Sequence, residues 1–295
     1  MALNDKKYKL VKRVKDDHLN IDHLHEYRLC LQFGERDIQV CITDMQNSRC
    51  LLLEDYISPS NTEGDTNFQT IPQLFEGHTY LEARFWHSVR ISIKTPRFAL
   101  VPVSLFDKQH KATYLHLNAD LDTDRDTLLH YIHQNDETVT VFAADSELVE
   151  WLAGKYSTTD MAFVHQGAAL AEGTLEDETL AHSRTMHLYS DRFYLNILVS
   201  EGKSLIYYNQ FRIKRFEDYV KYIMMVLTNM GLDQRENHVY LRGFIRQNSP
   251  HYRELYKYIQ NLEFAHKPGF LTFGYQFDEL EDHQYYDLYS MSLCR

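Results

Sequence analysis

One succession of elements occurs twice in this sequence, and it restricts the fold more than any other feature. Strand-like runs cover Tyr27–Phe33, Asp37–Thr43 and Arg49–Ile57, joined by the short turns Gly34-Glu35-Arg36 and Asn47-Ser48. A polar loop over Pro59–Thr70 follows, and Pro72 suits the first turn of a helix. Leu74, Phe75, His78, Leu81, Phe85 and Val89 recur at mostly three- and four-residue steps, which predicts an amphipathic helix. Arg97–Val101 then reads as a strand stopped by Pro102. From Thr185 the order returns, with strands Thr185–Ser190, Arg192–Val199 and Ser204–Gln210 and turns at Ser190-Asp191 and Glu201-Gly202-Lys203. A helix from Phe216 to Met230 is closed by Gly231; strand His238–Leu241, a turn at Gly243 and helix Tyr252–Asn261 complete the copy. Solenoid repeats have periods of about 20 to 50 residues, so a duplication this widely spaced predicts two related lobes.

The segment between the copies alternates in type. Thr113–Leu117 reads as a strand, Thr123–Gln134 as a helix and Thr138–Ala143 as a buried strand. Asp145 is placed to N-cap a helix through Trp151; Met161–His165 is a short strand, and Gly167–His182 a helix weakened by Gly173. The expected organisation is a basic, polar arm over 1–24, a first lobe over 25–183, a second over 184–270 and a closing segment over 271–295.

Composition removes several function classes. The 295 residues carry 31 Lys and Arg against 42 Asp and Glu, a net −11 that opposes generic nucleic-acid binding. Thirteen per cent aromatic residues argue against disorder. Cys30, Cys41, Cys50 and Cys294 lack the spacing of a zinc or redox motif, and the first three lie in apolar runs where a thiol acts as a small hydrophobe. No apolar stretch reaches the roughly 18 residues of a spanning helix, and the N-terminus has no secretory core, so a cytoplasmic chain is expected.

The duplicated α/β pattern resembles the two-lobed actin-like (ribonuclease H-like) fold of actin, sugar kinases and Hsp70-type ATPases. More narrowly, two segments resemble a Bacteroidetes family catalogued as a domain of unknown function (number 3822): Phe98-Ala99-Leu100-Val101-Pro102-Val103-Ser104-Leu105-Phe106, and His283-Gln284-Tyr285-Tyr286-Asp287-Leu288-Tyr289 followed by Cys294. The resemblance covers most of the chain from about residue 20 onward and implies an actin-like ATPase fold built of duplicated β-β-β-α-β-α units.

It also implies where ATP and magnesium would sit. Active relatives place an Asp two residues before a Gly in the first hairpin; the matching stretch here is Gln32-Phe33-Gly34. A neutral amide replaces the metal-holding carboxylate, and Phe33 stands beside it. The second hairpin, Leu188-Tyr189-Ser190-Asp191-Arg192, has no glycine; Asp191 is either a metal ligand or a turn former. The adenosine contact, usually a strand ending in paired glycines, is Val239-Tyr240-Leu241-Arg242-Gly243-Phe244, with Phe244 in place of the second glycine. The expectation is a fold kept and hydrolysis lost: a non-catalytic protein-binding or scaffolding module with no cofactor. The alternative is a nucleotide-binding switch or weak ATPase whose cleft is lined by Gln32, Gly34, Asp191 and Gly243, with ATP and magnesium as ligands.

Other constellations carry less. Lys6, Lys7, Lys9, Lys12, Arg13 and Lys15 make either a frayed terminus or a docking arm. His18, His23 and His25 with Asp17, Asp22 and Glu26 have metal-ligand chemistry but equally suit an exposed, pH-sensitive linker. Asp120, Asp122, Asp124 and Asp126 lack the Gly and Glu of a calcium loop, and no nucleophile elbow or phosphate loop is present. Tyrosines concentrate in the second half, from Tyr207 to Tyr289, where they suit either an interface or the second lobe's packing.

Overall fold

The structure, a computed structural model, describes residues 8–58, 70–134, 138–177 and 184–295. Strand β1 (Lys9–Lys15) precedes a hairpin of β2 (Tyr27–Phe33) and β3 (Asp37–Asp44), then β4 (Arg49–Ile57), the short helix α1 (Ile71–Phe75) and β5 (Ser88–Ile93). Next come β6 (Phe98–Pro102), α2 (Lys111–Leu115), β7 (Asp126–Ile132), β8 (Thr138–Asp145), α3 (Ser146–Lys155), β9 (Asp160–His165) and α4 (Gln166–Glu176). The second copy comprises β10 (Arg184–Ser190), β11 (Tyr194–Glu201), β12 (Ser204–Arg212), α5 (Phe216–Asn229), β13 (Val239–Gly243), α6 (Pro250–Leu255) and β14 (Leu262–Phe264). The chain closes with β15 (Thr272–Phe273) and α7 (Tyr286–Ser290).

The duplication is visible in the strand order. One sheet runs β4-β3-β2-β5-β9 and the other β12-β11-β10-β13-β14, the same topology twice. In each, three antiparallel strands continue into two parallel ones, β2 pairing parallel with β5 and β10 with β13. The central strands are buried on both faces and therefore read as almost uninterrupted apolar runs, as in Leu29, Cys30 and Leu31 of β2 or Ile197, Leu198 and Val199 of β11. A smaller sheet, β6-β8-β7, stands apart from both.

Local signals explain several boundaries. Pro72 sits in the first turn of α1, Asp145 accepts from the Leu148 N–H to cap α3, and Gly231 follows α5 at φ +64°. In α5, Ile223, Val226 and Leu227 turn into the second lobe's core. Helix α4 is buried along almost its whole length and packs against α7. Its Gly173 permits that approach, because a Cβ there would lie 2.0 Å from the Ser290 Oγ.

Three elements differ from expectation. The apolar spacing from Leu74 to Val89 is no single helix: α1 ends at Phe75, turns follow, and Val89 belongs to β5. Phe75, Leu81 and Val89 are all buried, but from separate elements, so their helical spacing is coincidental. The fourth strand of the first copy is consequently β5; Phe98–Pro102 belongs to the small sheet. Residues 113–117 lie in and just beyond α2, whereas the expected helix over Thr123–Gln134 is β7. The side chains of β7 are mostly half-buried, which removes the alternation that marks a strand.

The basic segment is likewise no free arm over its described part. Residues Lys9–Lys15 form an edge strand antiparallel to β4, with Arg13 bonded to Glu54 at 2.7 Å and Lys12 to Glu279 at 2.9 Å. Lys6 and Lys7, nearly all of the Pro59–Thr70 loop and the end of the helix read to His182 lie outside the described residues. Among the described residues, no helix is long and apolar enough to cross a membrane.

Candidate functional site at the lobe interface

The two equivalent hairpins meet where the lobes face each other. In the first, the Gly34 N–H donates to the Asp37 carbonyl; in the second, the Asp191 N–H donates to the Tyr194 carbonyl. Gly34 and Asp191 therefore occupy the same place in the duplicated unit. A Cβ on Gly34 would meet the Asp37 Oδ1 at 2.0 Å, so this turn has no room for the side chain its counterpart carries.

Between the hairpins lies a buried network of charges and amides. The Lys94 Nζ, just beyond β5, is 2.8 Å from the Asp37 Oδ2 and 3.3 Å from the Asp191 Oδ2. The Arg192 guanidinium reaches from the second hairpin into the first lobe, donating to the Asp37 Oδ2 at 2.8 Å and to the Asp55 Oδ2. The Tyr285 hydroxyl also donates to Asp55, at 3.0 Å. Behind them, Gln32 donates to Gln39 at 2.9 Å and to the Asp287 Oδ2 at 2.7 Å, and accepts from Ser92 at 2.9 Å. Gln166, the first residue of α4, donates to Asp191 at 2.9 Å and Asp287 at 2.8 Å, while the Tyr189 hydroxyl donates to the Asp287 Oδ1.

Electrostatics follow from this arrangement. Burial opposes ionisation of Asp37, but Lys94 and Arg192 outweigh it and hold its carboxyl below the ordinary value. Asp191 goes the other way: burial, with Asp37 and Asp287 nearby, raises it despite Lys94. Burial disfavours charge on Lys94, yet Asp191 and Asp37 prevail and raise its pKa. The site thus offsets its charge from within, with two cations among four carboxylates and Asp191 biased toward its neutral form.

The four sequence-derived residues are brought into one neighbourhood. Gln32 is fully buried with its amide engaged, and connects to Asp191 through Asp287 and Gln166. Gly34 lies against Asp37 and Lys94. Asp191 is both the turn residue and the Lys94 partner. Gly243 ends β13 at φ +86°, where a Cβ would lie 2.2 Å from the Ser190 carbonyl oxygen. Of the two aromatics, Phe33 is buried in the first lobe's core. Phe244 is half-buried, with the Arg192 guanidinium over its ring at 4.6 Å and the Tyr285 ring edge-on at 5.3 Å.

Lys94, Asp37, Asp55, Gln166 and Asp287 escaped the sequence reading of the site. Asp37 and Asp55 were read only as strand residues, and Asp287 only as part of the run ending at Tyr289. The one available signal for Lys94 is a cation directly after the alternating run Val89-Arg90-Ile91-Ser92-Ile93.

A magnesium–phosphate group needs carboxylate oxygen free for the ion and open space before the hairpins. Here the Asp191 and Asp37 oxygens face Lys94, Gln32 is spent on protein partners, and Arg192 crosses the gap. These residues do not fit that group. Among the described residues, no set of three or more His, Cys, Asp or Glu side chains is arranged to hold a metal ion. In the histidine-rich stretch, His18 bonds Asp16 at 2.7 Å, and His23 stacks on His25 beside Glu26.

Space does remain on the second-lobe side. A cavity of about 450 Å³ is bounded by Ser190, Asp191, Arg192, Tyr219 and Phe244 at its inner end and by basic residues at its mouth. Another, of about 390 Å³, lies in the first lobe beside Gly34, Lys94 and Arg97.

Comparison with known proteins agrees with this architecture. The family described as "Protein of unknown function (DUF3822)" matches residues 16–262. No curated protein matches the sequence. A Bacteroides thetaiotaomicron protein with an actin-like ATPase fold and unknown function superposes with TM-score 0.75 at 18% identity, over 94% of this chain and 99% of that chain. The ethanolamine utilization protein EutJ from Carboxydothermus hydrogenoformans gives 0.54 at 9% identity, over 96% and 93%. The PilM–PilN type IV pilus biogenesis complex gives 0.54 at 12% identity, over 90% and 97%. The fold is actin-like.

Proposed function

The chain belongs to the DUF3822 family, and on that premise we propose that it is a non-catalytic actin-like protein acting as a protein-binding or scaffolding module. The observation that carries this reading is the charge bridge between the lobes: Lys94 and Arg192 stand among Asp37, Asp55 and Asp191 where an active relative would need metal and phosphate. Buried ion pairs of this kind fix geometry more than they add stability, which suits a rigid platform better than a cleft that opens and closes each cycle. PilM, which shares the fold, is found in complex with the protein PilN, and a protein partner is the corresponding expectation here. The same proposal places the chain in the cytoplasm, in keeping with its four buried free thiols.

The alternative, a nucleotide switch using Gln32, Gly34, Asp191 and Gly243, is favoured by the cavity beside Asp191. A melting experiment separates the two. A ligand at a hundred times its Kd stabilises the native state by about 2.7 kcal/mol, or a rise of roughly 5 °C for a chain of this size. Millimolar ATP with magnesium is expected to leave the midpoint unchanged. A rise that saturates with ATP concentration refutes the non-catalytic reading in favour of the switch.

A further inference from the structure

The cavity on the second-lobe side has a composition unlike the rest of the molecule. The chain as a whole is acidic, at net −11, yet this hollow is lined by Arg192, Lys214, Arg215 and Arg246. The carboxylate in its lining, Asp191, is turned to Lys94 and Gln166. Asp218 stands near the mouth and accepts from the Lys214 and Arg215 backbone N–H groups at the start of α5. Lys214, Arg215 and Arg246 are exposed, and of the three Arg215 has a carboxylate, Asp218, close enough to feel its charge. Arg192 stands over the Phe244 ring, and Tyr219 is fixed by its hydroxyl against Ser190 at 2.9 Å and by its ring against His251 at 5.0 Å. Preorganised aromatic walls beneath a rim of exposed cations suit an anion that also carries apolar carbon.

Depth decides between kinds of anion. The inner end is sealed by the Lys94–Asp191 pair and the Arg192 bridge, leaving no carboxylate to share a metal with a polyphosphate. An occupant must present its negative charges at the rim and its carbon against Phe244 and Tyr219. We infer that this pocket takes an acidic peptide segment of a protein partner, with Glu or Asp carboxylates on Lys214, Arg215 and Arg246. The inference rests on the protein-binding reading above and gives it a location and a chemistry.

Fluorescence anisotropy with a labelled nonapeptide alternating Glu and Leu tests it, against the same peptide with Gln for Glu. Saturable binding of the acidic peptide alone is expected, weakening at least about tenfold in K214A/R215A/R246A, since all three rim cations are lost. K9A/K15A, which removes two exposed cations from the edge strand β1, is expected to bind as the parent does. Equal binding of the Gln peptide, full binding by the triple variant, or equal loss in K9A/K15A overturns the inference. Absence of any peptide binding overturns it too, while leaving the scaffold reading to stand on another surface. A saturable melting shift with ATP, together with displacement of the peptide by ATP, overturns both.

Discussion

Replacing Lys94 with Met removes an ammonium that faces both hairpins. Its side chain is 4% exposed and lies within ion-pair distance of Asp37 and Asp191, themselves 2% and 3% exposed. Met matches the length of the stem, so the loss is electrostatic rather than a cavity. Deleting one partner of a buried pair leaves an uncompensated charge and costs about 3–5 kcal/mol. At roughly 2 °C per kcal/mol for a chain this long, the midpoint should fall by about 6–10 °C. The pH dependence gives a second readout. The Asp191 pKa is already raised in the folded state by burial, so its ionisation weighs against folding as pH rises through that value. Without Lys94 the value rises further; the deficit of K94M should be largest at alkaline pH and shrink as the pH is lowered and Asp191 takes up a proton. D191N should repair much of the damage, so that K94M/D191N melts well above the sum of the single effects, with a coupling of about 2 kcal/mol or more. Additive single effects, or a K94M deficit that does not change with pH, would refute the account of the interface as a site whose charge is offset from within.

Four further outcomes follow from features elsewhere. G243A should lose about 2–4 kcal/mol, since Gly243 has φ +86° and a Cβ would meet the Ser190 carbonyl, whereas G231A at φ +64° in open space should lose nearer 1 kcal/mol; comparative melts decide. His165 is buried, accepts from the Gly167 N–H through Nδ1 and so donates from Nε2 to the Thr95 carbonyl; burial pushes its pKa down to about 4. Its share of the stability, roughly 3 kcal/mol, is complete above pH 6.5 and lost as pH falls toward 4, and an H165N variant should lack that slope in denaturant titrations. D287A should be among the most damaging single changes, at about 3–5 kcal/mol in urea unfolding, because it strands the Gln32, Gln166 and Tyr189 donors in the core. Removal of residues 1–15 should lower the midpoint and promote association seen by light scattering, since it exposes the edge of β4 and leaves buried Glu54 without Arg13.

What could be read from the sequence divides along physical lines. The second copy was legible strand by strand, because β10 and β11 are apolar runs bounded by short turns and α5 keeps a regular buried stripe. The first copy was legible through β4 and again at β9, but not between them. Beyond β4, Leu74 to Val89 mimics one helix because Phe75, Leu81 and Val89 are all buried, and burial alone does not say from which element. Helix α2 has five residues, too few for a period to show. At the site, Gln32, Gly34, Asp191 and Gly243 were found through the resemblance to actin-like ATPases, whose motifs they match in position. Lys94, Asp55 and Asp287 were not, because a charged side chain in a strand or short helix reads as solvent-facing until its partner on a distant segment is known. Arg192 was quoted as turn sequence, but nothing local tells that it points across the gap toward Asp55.

The seat of α7 has a consequence for the order in which the molecule can be made. Arg28 on β2 donates to the carbonyls of Ser292 and Cys294, and Gln32 to Asp287, so the first lobe's core is finished by residues that follow the whole second lobe in sequence. Domains usually fold in the order they leave the ribosome. Here the earlier lobe must wait, with Gln32, Arg28 and Arg90 holding open a vacant berth, until the later lobe has been synthesised and α7 comes back to fill it. The loop-closure cost of that return falls on a single late step, making the docking of α7 the natural slow phase of refolding.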